Sequence, residues 1–397
     1  MKALVIAPQP FFSPRGTPLS VYYRTLVTAE LGVDIDLLTY GEGWDVDIPG
    51  VRIIRIPRFS FLGNVKIGPS YLKLFLDLFI IIWTIGLLVK NRYDFVHAHE
   101  ESVFFCRFLK PIFRFKMIYD MHSSLPQQLT NFQFTKSRFL IDLFKKLEDT
   151  SLRAADAVIT ICPDLANYVD TLINEKGKHL LIENSIFDQV RLLPQTTKKD
   201  QTNTGAGDGD TAIDLPEGKR FVVYAGTLEP YQGIDILINA FKEVHARDES
   251  ALLLIVGGTN QQVVHYRDMA EKAGVERSVI FTGRVYQTVA KHYCNLASVL
   301  VSPRSDGTNT PLKIYEYLYS GIPMVATDIY SHTQVLDDDV AFLVKPEPED
   351  MARGILSALT SEEARKRKVE NACSLYERKY SRIVYEAKMK KLLEIIG

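Results

Sequence analysis

Short, wholly apolar runs alternate with longer amphipathic stretches along most of the chain. Ala3 to Ala7 is apolar without alternation, as in a parallel strand covered on both faces. Gly16 then allows a tight backbone, and Thr17-Pro18 can open a helix. That helix is predicted from about Leu19 to Leu31, closed by Gly32, with a second strand over Val33 to Thr39. Val51 to Pro57, Phe95 to Ala98, Met117 to Asp120, Ala157 to Ile161 and His179 to Ile182 read as further strands. Phe139 to Ala154 and Asp164 to Leu172 read as helices. The opening strand, glycine loop, helix and strand form the entry to a doubly wound fold. The glycines do not make GxGxxG, so the dinucleotide fingerprint is absent.

The pattern breaks at Gln195 to Asp214, which is polar and glycine-rich and reads as a flexible surface insertion or linker. It then restarts. Phe221 to Ala225, Ala251 to Val256, Val279 to Thr282 and Ala297 to Val301 are strand-like, with helices over Ile234 to Ala246 and Val263 to Ala273. Two α/β halves, each with loops at its strand ends, predict a ligand cleft between them. The boundaries are 1–186 for the first domain, 187–219 for the linker and 220–376 for the second. Arg382 to Ile396 reads as one helix, with lysines on one side and leucine and isoleucine on the other.

Leu74 to Val89 departs from the amphipathic pattern. It is apolar almost throughout but short for a membrane span, and it carries Asp77 near its start. A helix buried against a sheet is the first reading, a membrane-dipping helix the second and a true span the third. The basic-aromatic run Cys106 to Lys116 adds weight to membrane-surface contact. An amphipathic helix with a solvated cationic face explains that run equally well.

Composition narrows the classes. At 397 residues and 46% hydrophobic content, two globular domains are the default. The 47 basic and 48 acidic residues nearly cancel, so no global charge points to nucleic acid as a partner. Cys106, Cys162, Cys294 and Cys373 are widely scattered without metal-ligand or CxxC spacing, which fits buried free thiols in a reducing compartment. Met1-Lys2 leads directly into the first strand, so no signal peptide is expected.

The candidate chemistry concentrates in Val301 to Asp328. A hydroxyl-rich loop precedes Thr310-Pro311, which suits an N-cap and first turn. Lys313 and Glu316 lie three apart on one helix face near that N-terminus, and Gly321 closes the helix. A helix N-terminus beside a lysine suits phosphate, and an ionised carboxylate suits paired hydroxyls. Phosphate plus diol suggests a nucleotide; an ordinary strand-loop-helix unit with solvated charges is the plain alternative. In the first half His122, just beyond the strand ending at Asp120, is a better candidate than His97 or His99.

These residues carry a family resemblance over essentially the whole chain. PFFSPRGTP, YDFVHAHEE, YDMHSS, ADAVITIC and LIENS in the first half, then YAGTLEPYQGIDILINAF, LLLIVGG, VIFTGRV and NTPLKIYEYLYSGIPMVATD, follow one another in a specific order. The chain resembles the retaining, nucleotide-sugar-dependent glycosyltransferases of family 4 (glycosyl transferases group 1). The resemblance implies an α/β GT-B fold: two Rossmann-like domains facing across a central cleft, the first acceptor-side, the second holding the nucleotide sugar. It also implies that the last helix, about 377–397, packs back on the first domain. Glu316 matches the ribose-binding glutamate, and Lys313 could reach the diphosphate. Arg15 and Gly16 lie in the glycine-rich N-terminal loop, and His122 matches a histidine near the transferred sugar. Arg284 and Val285 match a loop that holds the base, while Gly226, Thr227 and Gly257 stand at strand ends facing the donor. Arg304, Asp306, Thr308, Asn309 and Thr310 form the loop before Lys313. His122, Asp306 and Lys313 are the expected catalytic groups.

Three departures stand out. The family commonly has a second glutamate eight residues before Glu316, where this chain has Thr308. It usually has arginine at Thr227 and lysine at Gln232, both phosphate-binding. Arg304, Arg15 and Lys313 could compensate, and Asp306, Asn309 and Thr310 could replace the missing carboxylate. The implied reaction moves a sugar from a nucleotide donor such as a UDP-sugar to an acceptor hydroxyl with retention, as hexosyltransferases do. No DxD-type cluster sits at a strand end, so no obligatory metal and no further cofactor are expected; GDGD, Gly207 to Asp210, falls in the linker. The acceptor is expected to be a glycan or lipid-linked, in cell-surface polysaccharide or glycolipid synthesis. The expected place is the cytoplasm, at the cytoplasmic face of the membrane if the basic-aromatic segments touch lipid. A sugar-nucleotide epimerase, which would react without acceptor, and a non-catalytic nucleotide-binding homologue are the rival readings.

Overall fold

The computed structural model describes residues 1–13, 16–59, 63, 65, 70–126, 137–175, 177–184, 190 and 213–397. Candidate Arg15, the aromatic-basic positions Phe61, Leu62 and Lys66, and most of the polar insertion with Gly207 to Asp210 lie outside the described residues. Two compact units result: Met1–Gln195 with Arg382–Gly397, and Thr196–Ser381.

In the first unit seven parallel strands form one sheet in the order β3-β2-β1-β4-β5-β6-β7. They are β1 (Lys2–Ala7), β2 (Asp34–Thr39), β3 (Val51–Arg55), β4 (Phe95–His99), β5 (Lys116–Met121), β6 (Ala157–Thr160) and β7 (His179–Leu181). Strand order reverses between β1 and β4, which pair from Ala3↔Phe95 to Ile6↔Ala98. The crevice beyond the carboxyl ends of two such strands is where open α/β sheets place ligands. The strands are apolar throughout because helices cover both faces; Leu4, Ile6, Val96, Ala98, Met117 and Tyr119 share one of these cores.

The helices of this unit are α1 (Gly16–Glu30), α2 (Tyr71–Lys90), α3 (Ser102–Phe113), α4 (Arg138–Ala154) and α5 (Pro163–Leu172). Helix α2 starts earlier than predicted, because Ser70 caps it by accepting from the Lys73 amide at 3.2 Å. The expectation of a helix buried against a sheet holds for one face of it alone. Only Leu76, Ile80, Thr84 and Leu88 are buried, a single stripe at four-residue spacing. The run is apolar on every side, whereas the sheet can cover only one. The C-terminal helix, Arg382–Ile396, belongs to this unit. Tyr385, Met389, Leu392, Leu393 and Ile396 are its buried residues, while Lys388 pairs with Glu183 at 2.7 Å and Arg382 with Glu30 at 2.6 Å.

The second unit holds a six-stranded parallel sheet in the order β10-β9-β8-β11-β12-β13. Its strands are β8 (Arg220–Ala225), β9 (Ala251–Val256), β10 (Val279–Gly283), β11 (Ala297–Ser302), β12 (Met324–Thr327) and β13 (Phe342–Val344). The reversal falls between β8 and β11. Its helices are α6 (Ile234–Arg247), α7 (Asn260–Lys272), α8 (Gln287–Asn295), α9 (Leu312–Tyr319), α10 (Tyr330–Thr333), α11 (Pro348–Thr360) and α12 (Glu362–Lys379). Helices α8, α10, α11 and α12 and strand β13 are additions to the predicted pattern. Helix α12 hides itself in sequence because a lysine serves on its buried face: Lys368 lies beside Ala372, Leu375 and Tyr376 and donates from Nζ to the Ala341 carbonyl at 3.0 Å.

Candidate functional site

In the second unit, β9, β8 and β11 end side by side, and the first two are each followed by a glycine whose backbone the site requires. Gly226 follows β8 at φ +155° and Gly257 follows β9 at φ +118°. A Cβ on Gly257 would lie 2.0 Å from the Gly226 carbonyl oxygen, so no larger residue fits that approach. The Gly257 amide donates to the Gly283 carbonyl at 2.9 Å, which ties the β9 end to the β10 end. Beyond Gly283, Arg284 is exposed and Val285 half-buried.

Lys313 rises into this arrangement from the first turn of α9. The cap expected of Thr310 is not made: the helix begins at Leu312 with Pro311 in the cap position and no side-chain cap. Proline leaves no amide to satisfy there, and the Thr310 hydroxyl is buried without a hydrogen-bond partner among the described residues. The Lys313 ammonium is also buried without a hydrogen-bond partner among them. It stands 3.8 Å from the centroid of the Tyr224 ring, a cation–π contact, and 2.9 Å from where a Cβ on Gly226 would be. Burial, and then the Arg304 charge, pull its pKa down to about 7.

Arg304, at the end of β11, is held by donation from Nε to the Asp306 carbonyl at 2.6 Å and from Nη1 to the Asn309 carbonyl at 3.0 Å, and lies over the Tyr231 ring at 5.1 Å. Asp306 is exposed and accepts from the Gly307 amide at 2.6 Å. The Thr308 carbonyl accepts from Gln334 Nε2 at 2.5 Å. Glu316, one turn beyond Lys313, is half-buried with its pKa raised by burial. Thr227 and Gln232 contribute no cation: the Thr227 carbonyl accepts from the Tyr224 hydroxyl at 2.5 Å, and Gln232 is buried. The structure thus brings Gly226, Gly257, Arg304 and Lys313 together at one set of strand ends.

The first unit builds a second cluster from residues that the sequence reading mostly passed over. His122, just beyond β5, is buried, and its Nε2 lies 2.9 Å from His99 Nδ1. His97 Nε2 lies 3.1 Å from Asp120 Oδ2, and Arg24 Nε lies 3.0 Å from the same oxygen, with both charged groups fully buried. The Tyr385 ring packs against Arg24 at 5.7 Å. His97 and His99 therefore belong with His122 rather than behind it, because alternate residues of β4 point to one face. Asp120 and Arg24 fall within a predicted strand and a predicted helix, and it is their pairing in the fold that marks them out. Burial holds the His122 pKa at about 4, so its ring is neutral near pH 7. Although burial opposes it, the Arg24 charge foremost keeps Asp120 ionised well below the usual carboxylate range.

His97, His99 and Asp120 offer ligand atoms within 4.8 Å of one another, the spacing of a metal set. Arg24 already pairs with Asp120, so a cation bound there would face a fixed positive charge. Glu148 of α4 is a further residue missed in sequence. It accepts from Ser124 Oγ and the Leu125 amide, each at 2.9 Å, and thereby anchors the chain that follows His122. Its pKa is raised to about 7, chiefly by burial. Gly16 opens α1 and is exposed. Cys106 and Cys162 are buried free thiols as expected, whereas Cys294 and Cys373 are half-buried.

Residues 210–374 match the glycosyl transferases group 1 family, and residues 24–185 match the glycosyl transferase 4-like domain. The chain is 21% identical to the alpha-monoglucosyldiacylglycerol synthase of Streptococcus pneumoniae over 82% of its own length and 69% of the relative's. It overlays sucrose-phosphate synthase from Thermosynechococcus elongatus with a TM-score of 0.74, at 18% identity, over 99% of this chain and 98% of the other. It overlays HepE from Anabaena, solved in complex with UDP-glucose, with a TM-score of 0.67, at 13% identity and 99% coverage of both. These neighbours share the GT-B fold, which is the fold class of this chain.

Proposed function

The chain belongs to the group 1 glycosyltransferases, and we propose that it moves a sugar from a uridine diphosphate donor to an acceptor hydroxyl with retention at the anomeric carbon. The observation that carries the donor half is the buried Lys313 ammonium, which has no hydrogen-bond partner among the described residues and stands against Gly226. A buried charge without a partner is costly unless a ligand supplies one. A diphosphate is such a ligand, and the UDP-glucose held by HepE supports uracil as the base.

In this reading Lys313 and Arg304 neutralise the diphosphate, taking the place of the cations missing at Thr227 and Gln232. Glu316 accepts from the ribose hydroxyls, and the backbone at Arg284 and Val285 borders the base. The backbone at Gly226 and Gly257, bare of side chains at the strand ends, borders the phosphates. Asp306, Thr308, Asn309 and Thr310 line the sugar side of the same loop. The bond from the anomeric carbon to the phosphate oxygen breaks while the acceptor oxygen bonds to that carbon from the same face. The acceptor proton passes to the departing phosphate oxygen. His122, neutral at pH 7, serves as a hydrogen-bonding group near the transferred sugar. The residues named carry the phosphate charge, so no metal is assigned a role. The acceptor is a glycan or lipid-linked hydroxyl, reached at the cytoplasmic face of the membrane; the diacylglycerol named in the Streptococcus relative supports the lipid side of this.

Thermal shift against UDP, GDP and ADP tests the donor half. A ligand at one hundred times its Kd adds about 2.7 kcal/mol to the folded state. The expected result is a rise in Tm with UDP that disappears in Glu316→Ala; equal shifts for all three, or an unchanged shift in the variant, would sink the assignment. The pH dependence of UDP binding is a separate prediction. Lys313 binds phosphate as the ammonium, and its pKa without ligand is about 7. Above that pH binding must take up a proton, so Kd is expected to rise by up to about tenfold per unit. Titration calorimetry at pH 6.5 and 8.5 reads this directly, and a flat profile contradicts it.

A further inference from the structure

We infer that helices α2, α3 and α4 of the first unit form a platform that lies flat on an anionic lipid bilayer. This goes beyond the donor chemistry and stands on the helix faces alone. Helix α2 carries two apolar stripes back to back. Leu76, Ile80, Thr84 and Leu88 are buried against the unit. Leu74, Leu78, Ile82 and Val89, offset by about half a turn, are exposed, with Val89 at 71%. Soluble domains seldom leave such a continuous apolar face open.

The neighbouring helices also expose apolar residues. Helix α2 packs on α3, and α3 on α4. Phe108 and Ile112 of α3 and Phe139 of α4 are exposed, Ile112 at 69% and Phe139 at 75%. The cations of the basic-aromatic run divide into two sets. Lys110 ties α3 to the end of α4 through the Ala154 carbonyl at 2.8 Å and to Asp156 at 2.7 Å, and Arg107 reaches Thr150. These two hold helices together and are not a solvated face. Lys90, Arg92, Arg114 and Arg138 are exposed at the ends of the same three helices.

An apolar centre bounded by cations fits lipid tails with anionic headgroups. A second copy of the chain would set like charges against each other across a two-fold contact, which disfavours self-association. At about 1.5 Å per residue α2 is long enough to cross a bilayer. Its inner stripe pins it to the unit along its length, so it lies along the surface instead.

Co-sedimentation of the full chain with phosphatidylglycerol vesicles, against phosphatidylcholine vesicles, tests the inference. The wild type is expected to pellet with phosphatidylglycerol and to be released by high salt. Leu78→Glu/Ile82→Glu is expected to weaken binding at least about tenfold, and Arg92→Glu/Arg114→Glu/Arg138→Glu by about a hundredfold. These positions are exposed, and the UDP thermal shift of both variants is expected to match the wild type. That readout keeps failure of the surface apart from failure of the donor site. No pelleting with phosphatidylglycerol, equal pelleting with phosphatidylcholine, or variants that bind like the wild type would overturn the inference. So would a wild-type dimer, seen by light scattering, that Leu78→Glu/Ile82→Glu turns into a monomer.

Discussion

Replacing Lys313 by methionine is expected to leave a folded protein that has lost its thermal response to UDP and about a hundredfold to a thousandfold of kcat/KM. The magnitude is that of removing one preorganised group that stabilises charge developing in the transition state. The argument rests on the state of the side chain before any ligand binds. Its ammonium is buried against the Tyr224 ring and Gly226 and has no hydrogen-bond partner among the described residues. Burial lowers its pKa to about 7 from an ordinary value of 10.5. The folded state therefore binds this proton more weakly than the unfolded state does. The resulting cost to stability is present in full below pH 7 and is relieved as pH rises from 7 towards 10.5. Methionine keeps most of the volume and removes the charge, so the variant is expected to be at least as stable as the wild type, with its largest gain below pH 7. A structural lysine would give the opposite stability result. Thermal melts at pH 6 and pH 9, with and without UDP, separate the two; a less stable variant that still responds to UDP would refute a diphosphate role for Lys313.

Replacing Asp120 by alanine is expected to cost about 3–5 kcal/mol, the usual penalty for stranding one partner of a buried ion pair. Asp120 and Arg24 are both fully buried with 3.0 Å between Oδ2 and Nε. Without the carboxylate, Arg24 keeps among the described residues the Ile182 carbonyl, 3.3 Å from Nη2, and its place over the Tyr385 ring. His97 loses its hydrogen-bond partner at 3.1 Å, and His99 loses a carboxylate 3.5 Å away while keeping its contact with His122 at 2.9 Å. For a unit of this size each kcal/mol moves Tm by about 2–4 °C, so a fall of about 6–20 °C is expected. Arg24→Met/Asp120→Leu removes the pair together and is expected to recover much of that loss, because an apolar replacement leaves no stranded charge. If the single variant melts within a degree or two of the wild type, the pair carries no such weight.

Much of the architecture was legible in the sequence because parallel strands buried on both faces leave continuous apolar runs. Ala3–Ala7, Ala251–Val256 and Val299–Val301 could hardly be anything else. The switch from strand to glycine loop to helix likewise exposed both nucleotide-fold halves. Elements whose burial depends on a neighbour were harder to see. Helix α12 buries Lys368, whose charge is met by carbonyls from a distant part of the chain, and α8 buries only Tyr293.

The site divides the same way. Lys313 and Glu316 are one helical turn apart, so their common face follows from spacing alone. That Lys313 is stripped of water beside Gly226 is a fact of tertiary packing. So is the Arg24–Asp120–His97 cluster, whose members come from three separate elements and acquire meaning only when the sheet brings their side chains together. Helix α2 shows the limit most plainly. Its apolar composition is written in the chain, but which stripe the sheet covers, and which it leaves open, is decided by the fold because one face of a helix is all that a sheet can bury.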